Sequence, residues 1–381
     1  MANRIGKARE QQVFAVREAT RGTLTAPAAT DLIVAAGFAK INQQPSFTDS
    51  PEIVNSRDLL ADFQDKTPAG QWSCPIIVRP SGSLGVEPNA SIFYESLLGK
   101  RTVNAGVSVA YDPEMEKPSF SLWVKKSHSV LFASGCTVGK ASVTTGPKGG
   151  LTLELSGQFM RMGWAGEDEL TADAAASDTV LHVADAKKYT VGAMVQLAGD
   201  DNGGAGYEVS AVDTTANTIT LAAGLAVGGS TGDVVSGWLP AGTETSTPLE
   251  NRKSTASIGG ASLPIKGMTI NITDDPQYLE DEITTDGYPV EYVENQRVID
   301  GELDIYFRQN DLRYFQDGLD TNEQAISLNC GDTAGTRVKF AMPRTRLSVP
   351  TVEETDPTVA LKMGIKALGQ TGEDSISIIF D

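Results

Sequence analysis

The sequence predicts a mainly β protein: two tandem β-sandwich or barrel domains, each with a short helix, and a small all-β module inserted between them. Three observations predict it. Glycine supplies 38 of 381 residues and Thr, Ser and Val are abundant, while long Leu/Glu/Lys helical stretches are absent, a balance that favours strands and turns. Short runs of alternating apolar and polar residues recur, separated by Gly, Pro, Asn or Asp. The order strand, acidic stretch, strand, short helix occurs near both ends of the chain.

The first domain is expected at 1–167. It opens with an arm and the apolar run Val13–Val16, followed by turn and extended chain over 20–27. Residues 45–70 are polar, with Phe47, Ile53, Leu59, Leu60 and Phe63 scattered through them; ordered stretches this long usually have a task, and isolated apolar side chains on a projecting loop call for a partner surface. Gln71–Val78 reads as a strand. Ala90–Leu98 reads as a helix with Ile92, Phe93, Leu97 and Leu98 on one face and Gly99 as its stop. Ser119–Val124 and Leu151–Leu155 read as strands, the latter with its leucines on one side and Thr152 and Glu154 on the other.

At about 168 the composition shifts to Ala, Gly, Asp, Thr and Val. Candidate strands at 179–183, 194–197, 207–212 and 218–221 are separated by glycine- and aspartate-rich turns. This predicts a module over 168–238, flanked by Trp164 and Trp238, inserted in a surface loop. The second domain, 239–381, follows a polar linker, with strands expected at Met268–Thr273, Glu302–Phe307, Arg337–Met342, Val359–Lys366 and Ser375–Phe380, and a helix at Asp311–Leu319. The ends align in element order: Gly70 and Gly301 open strands that precede helices carrying Phe93-Tyr94 and Tyr314-Phe315, and Val138–Val143 with Leu151–Phe159 corresponds to Arg346–Val349 with Val359–Lys366.

Chemistry is sparse. Neither His128 nor His182 has a Cys or carboxylate at ligand spacing, and no nucleophile elbow occurs, so neither a metal site nor a catalytic triad is expected. The 199–204 run Gly-Asp-Asp-Asn-Gly-Gly lacks the regular acidic alternation and closing Glu of a Ca²⁺ loop. Carboxylates are plentiful, but they lie in loops or alternate outward along strands. The expectation is no enzyme, no cofactor and no bound metal. Cys74, Cys136 and Cys330 have neither metal nor disulfide-framework spacing and read as buried thiols. The net charge of −18 argues against a DNA-binding basic face, but not against DNA passing nearby without being held. The N-terminus has no apolar signal-peptide core and no apolar run is long enough for a helical membrane span, so the expectation is folding in a cytoplasm.

Several of these features together resemble the major tail tube proteins of long, non-contractile bacteriophage tails (siphophages). The residues that carry the resemblance are Val16–Leu24 with the following Ala-Pro, the acidic loop with Pro51-Glu52-Ile53, Gly70–Val78, and the helix ending Leu97-Leu98-Gly99. It implies a virion tail protein, assembled in the host cytoplasm, that forms stacked rings around a lumen for DNA ejection, with the tape measure protein and tail terminator as further partners and no membrane. Inner sheets of neighbouring subunits would join to line the lumen. Carried onto this sequence, the loop at Asp49–Pro68 and its second copy at 274–296 would reach the next ring, with Glu52, Ile53, Arg57, Phe63, Tyr278, Glu282 and Tyr288 as contact residues. Glu154, Glu302 and Asp304 would face a negative lumen. Many family members carry one tube domain and form hexamers; two domains here imply a trimeric, pseudo-hexameric ring, with a hexamer as the other possibility. The alternative is a carbohydrate-binding β-sandwich adhesin of a virion or cell surface, whose aromatic platform would have to come from Tyr207 and Trp238.

Overall fold

Eight strands, six of them with alternating apolar and polar residues, build the sheet that organises the molecule. The computed structural model describes residues 7, 9–53, 57–283, 286–355 and 357–381. The eight strands are β1 (Lys40–Asn42), β2 (Gly70–Ile77), β3 (Lys140–Thr145), β4 (Thr152–Phe159), β5 (Gly267–Thr273), β6 (Val298–Tyr306), β7 (Thr351–Thr355) and β8 (Thr358–Ala367). They lie side by side as β1-β2-β4-β3-β5-β6-β8-β7, every pair antiparallel. Trp72, Cys74 and Ile76 of β2, Leu153 and Leu155 of β4, Ile270 and Ile272 of β5, and Leu303 and Ile305 of β6 point to one side and are buried. Polar neighbours point to the other.

A second layer covers the apolar side. Over the first half its strand order is Arg161–Ala165, Ser129–Cys136, Phe120–Lys126, Gln11–Arg17, Leu32–Ile33. Over the second half it is Ser377–Phe380, Val338–Leu347, Glu323–Cys330, Thr255–Ile258, Ala261–Leu263. Val338–Leu347 also pairs with β8, so in the second half the two layers are one bent sheet of the 15-stranded assembly. Among the described residues no sheet closes into a barrel; the sandwich half of the expectation describes the architecture.

Helix α1 (Ser91–Leu98) lies between the layers because Phe93, Tyr94, Leu97 and Leu98 form one wide apolar stripe. Phe93 packs with Trp72 and Phe120, while Tyr94 reaches Tyr111 and Phe380 from opposite ends of the chain. Gly99 stops it at φ 109, where a Cβ would sit 2.8 Å from Glu114 and Glu116 atoms. Helix α2 (Arg313–Leu319) follows a 3₁₀ turn at Gln309–Leu312, so the expected Asp311 start lies in that turn. Gly301 does not open its strand. Val298–Asp300 already pair with Asn271–Thr273, and a Cβ on Gly301 would sit 2.0 Å from the Thr269 carbonyl oxygen.

Residues 167–237 form a separate six-stranded sheet whose first and last strands, Glu167–Glu169 and Val234–Gly237, pair with each other. It does not hang free. Phe14, Trp123, Val130 and Phe132 project from the outer side of the first-half cover layer into one core with Leu170, Tyr189, Val195, Val235 and Trp238. Lys188 and Thr190 add hydrogen bonds to the edge of Arg161–Ala165: Thr190 N–H donates to Trp164 O at 3.0 Å, and Gly166 N–H to Lys188 O at 2.8 Å. In the second half, the hairpin of Gly99–Asn104 and Ser108–Pro113 covers the corresponding edge, pairing Tyr111 with Ile378. There the outer side carries Thr255, Ser257, Ser327, Asn329 and Lys339 and needs no cover. The module therefore covers an apolar face and a sheet edge of the first-half cover layer.

Candidate assembly surfaces

Three surfaces stand out once the layers are in place: a polar face, two unpaired strand edges and two projecting hairpins.

The polar face is the solvent side of the eight-stranded sheet. Register aligns its side chains in rows: Pro75, Glu154, Ser142, Asn271, Asp300 and Lys366 form one row across six strands. Ser142 donates to Asn271 at 2.8 Å and Asn271 to Asp300 at 3.1 Å, so the row crosses from one half to the other through side chains as well as backbone. A groove of about 710 Å³ lies along it, lined in part by Lys40, Lys140, Glu154, Asn271 and Asp300. Glu154, Glu302 and Asp304 all project from this face. They do not make it strongly negative. Lys362 pairs with Glu302 at 3.2 Å, Lys266 with Asp304 at 3.2 Å, and Lys140 with Asp275 at 3.1 Å. Lys40 and Lys366 share the face.

The two edges are β1 and β7. The two halves already meet edge to edge: β3 pairs with β5 over six residues, Lys140 opposite Thr273 to Thr145 opposite Met268. β1 stands at the start of the first group of four and β7 at the end of the second, each with one paired side. Neither was legible as a strand, because Lys-Ile-Asn and Thr-Val-Glu-Glu-Thr carry too few apolar residues to show alternation.

The hairpins leave β1 and β5. The first pairs Phe47–Asp49 with Asp62–Gln64, the second Gln277–Tyr278 with Tyr292–Val293. Phe47, Leu59, Leu60, Phe63 and Ile283 are exposed, and Ile53 is 97% exposed. Glu52 is exposed, accepting from Ser50 at 3.1 Å, and Arg57 is exposed. Positions 54–56 and 284–285 of the expected contact loops lie outside the described residues. The second hairpin is pinned to the first half of the chain. Tyr278, only 4% exposed, donates to Gly135 O at 2.7 Å and lies 3.1 Å from the Thr137 hydroxyl, so it anchors the hairpin and is not a free contact. Tyr292 stacks under Arg21, whose guanidinium also bonds Glu291, and donates to Lys117 O at 3.1 Å. Tyr288 packs under Arg161, and the Glu282 carbonyl accepts from Lys66 at 2.6 Å, tying the two hairpins together.

Beneath the second hairpin, Lys117 is fully buried, 3.1 Å from the Asp274 carboxylate and 3.6 Å from Glu294. Arg297 bonds Asp274 at 2.9 Å. Burial pushes Lys117 below its ordinary value, against the attraction of Asp274 and Glu294. Burial also pushes Glu294 up, with Asp274 adding to the rise and Lys117 and Arg21 opposing it. Nothing local marks Lys117 as buried in the sequence.

Among the described residues no cluster of three or more His, Cys, Asp or Glu side chains is placed to hold a metal ion. Tyr207 and Trp238, the aromatics considered for a sugar platform, are buried in the module's core.

A family model described as phage tail tube protein matches residues 8–367, nearly the whole chain. The chain belongs to the phage tail tube family. It is therefore a structural subunit of a bacteriophage tail, found in the virion tail, in a family that self-assembles into a tube with other tail proteins. No individually curated protein matches the chain.

Proposed function

We propose that this tail tube subunit contains two copies of one tube domain, 1–167 and 239–381, with 168–238 inserted, and that three chains close a pseudo-hexameric ring. One observation carries the reading. The neighbour order β1-β2-β4-β3 recurs as β5-β6-β8-β7, and the two groups join through antiparallel β3–β5 pairing. Repeating that joint between chains pairs the β7 edge of one subunit with the β1 edge of the next. Register puts Thr351 and Glu353 of β7 on the polar face beside Lys362, and Lys40 and Asn42 of β1 on the same face, so that joint adds a Glu-to-Lys approach across subunits. It also satisfies two rows of backbone groups that are otherwise open to aggregation.

The polar face then lines the lumen. Glu302 and Asp304 already carry lysine partners, so passing DNA meets short-range ion pairs there, with no basic stripe to hold it. The hairpins project along the ring axis toward the neighbouring ring, with Ile53, Phe63, Glu52, Arg57 and Glu282 at the contact and Tyr278 and Tyr288 as anchors. The tape measure protein and tail terminator are the further partners this role implies. The lateral joint is tested by proline. Alternate N–H groups of β7 point outward, so one of Val352→Pro and Glu353→Pro removes a donor from the open side while sparing the β7–β8 ladder. That variant should stay folded and fail to form rings in electron micrographs. Normal rings from both variants, or native rings without three-fold symmetry, would refute the arrangement.

A further inference from the structure

Both hairpins leave the eight-stranded sheet at the same end. β1 exits at Asn42, opposite Gln71 at the start of β2, and β5 exits at Thr273, opposite Val298 at the start of β6 and Lys140 at the start of β3. The same register places the links that follow β2 and β6 at the opposite end. Each link leads to a helix, and each exposes apolar side chains: Leu84 and Val86 before α1, and Phe307 and Leu312 before α2. Tyr306 and Val359 extend the second patch, where Phe307 N–H donates to Val359 O at 2.9 Å.

The charges at the two ends differ. The hairpins are acidic, with Asp49, Glu52, Asp62 and Glu282 beside the exposed apolar residues. In the 306–313 link the only carboxylate, Asp311, is buried and turned inward to accept from the Arg308 N–H at 2.8 Å. Arg308 extends outward and Arg313 contacts Tyr314 of its own helix. The link therefore presents apolar and positively charged side chains, the complement of the hairpin tips.

We propose that the Tyr306–Arg313 link, with Val359, is the seat for a hairpin of a second copy of this chain stacked along the ring axis, and that the Leu84–Val86 link is the equivalent seat in the first half. This rests on the tube reading above and adds to it the receiving surface. Tips and seats lie at opposite ends of one chain, so the contact is head-to-tail and repeats without closing, which generates a fibre of rings. Burying Leu312, Phe307 and a hairpin isoleucine supplies the affinity; the arginines fix which end is received.

The test separates lateral from axial contacts. The double variant Arg308→Glu, Leu312→Asp should form rings that do not stack, seen as isolated discs by electron microscopy and as loss of the tube fraction in sedimentation. As a second arm, chains carrying Leu312→Cys are mixed with chains carrying Ile53→Cys or Ile283→Cys and oxidised after assembly. The native thiols are buried, so an inter-chain disulfide in one of these mixtures, absent in unassembled protein, is expected. This arm does not depend on the charged variant folding. Native-length tubes from the double variant, or no cross-link in either mixture, would overturn the seat and leave the ring reading intact. Failure of the native chain to form any ring would overturn both.

Discussion

Replacing Lys117 by methionine tests whether the second hairpin is held by charge at its base. The ammonium has no solvent exposure and sits 3.1 Å from Asp274 and 3.6 Å from Glu294. Methionine keeps most of the volume but removes the ammonium that both carboxylates face, leaving Asp274 to Arg297. Breaking a buried pair from one side typically costs about 3–5 kcal/mol. Arg297 still bonds Asp274 at 2.9 Å, so the lower end, about 3 kcal/mol, is expected. For a chain of this size that lowers the melting temperature by roughly 4 °C. The loss should be local as well as global. Hydrogen exchange and proteolysis should quicken across 274–297 before the β3–β5 joint opens, and stacked tubes should shorten while single rings persist. The pH dependence carries its own sign. Glu294 binds its proton more tightly in the folded chain than in the unfolded one, so its contribution to stability is greatest in acid and is lost as pH rises from the ordinary glutamate value through its raised one. Lys117 and Arg21 oppose this shift and Asp274 reinforces it. Glu294→Gln should therefore stabilise the hairpin at neutral pH and flatten the profile. Unchanged melting and unchanged exchange over 274–297 in Lys117→Met would show that the tyrosine anchors alone hold the hairpin and that the charge argument is wrong.

Gly301→Ala should prevent soluble expression, because its Cβ would fall 2.0 Å from the Thr269 carbonyl oxygen at the pairing of β5 with β6, whereas Gly146→Ala, with nothing within 4 Å, should melt like the native chain. Deleting 168–237 should give aggregates, since it uncovers Phe14, Trp123 and Phe132, each contributing about 1.5–3 kcal/mol of burial; recovery of normal tubes from the deletion would show the module to be ornamental. The thiols should resist a soluble thiol reagent at pH 8 until the chain unfolds, because burial raises Cys74 to about 12, Cys330 to about 11 and Cys136 well above its usual value. Rapid labelling of the native protein would contradict the burial of these strands.

Local pattern was enough for the mainly β class, the two short helices and the strands whose apolar residues alternate cleanly, such as Leu153 and Leu155 in β4 or Ile270 and Ile272 in β5. It was also enough for the projecting stretches around Ile53, because an isolated apolar residue in a polar run is visible without a fold. The tertiary structure decided the rest. Short edge strands such as Lys40–Asn42 and Thr351–Thr355 owe their conformation to a neighbour's hydrogen bonds and not to their own side chains. The fates of two similar hairpins diverged because Tyr278, Tyr292 and Lys117 meet only when residues more than a hundred positions apart are folded together. Length, composition and period are properties of neighbours in sequence, and they predicted a repeated β building block. Which edge stays open, which face of the sheet stays polar and exposed and which loop is pinned are properties of neighbours in space, set by long-range pairing and by the burial of charge that only the complete fold creates.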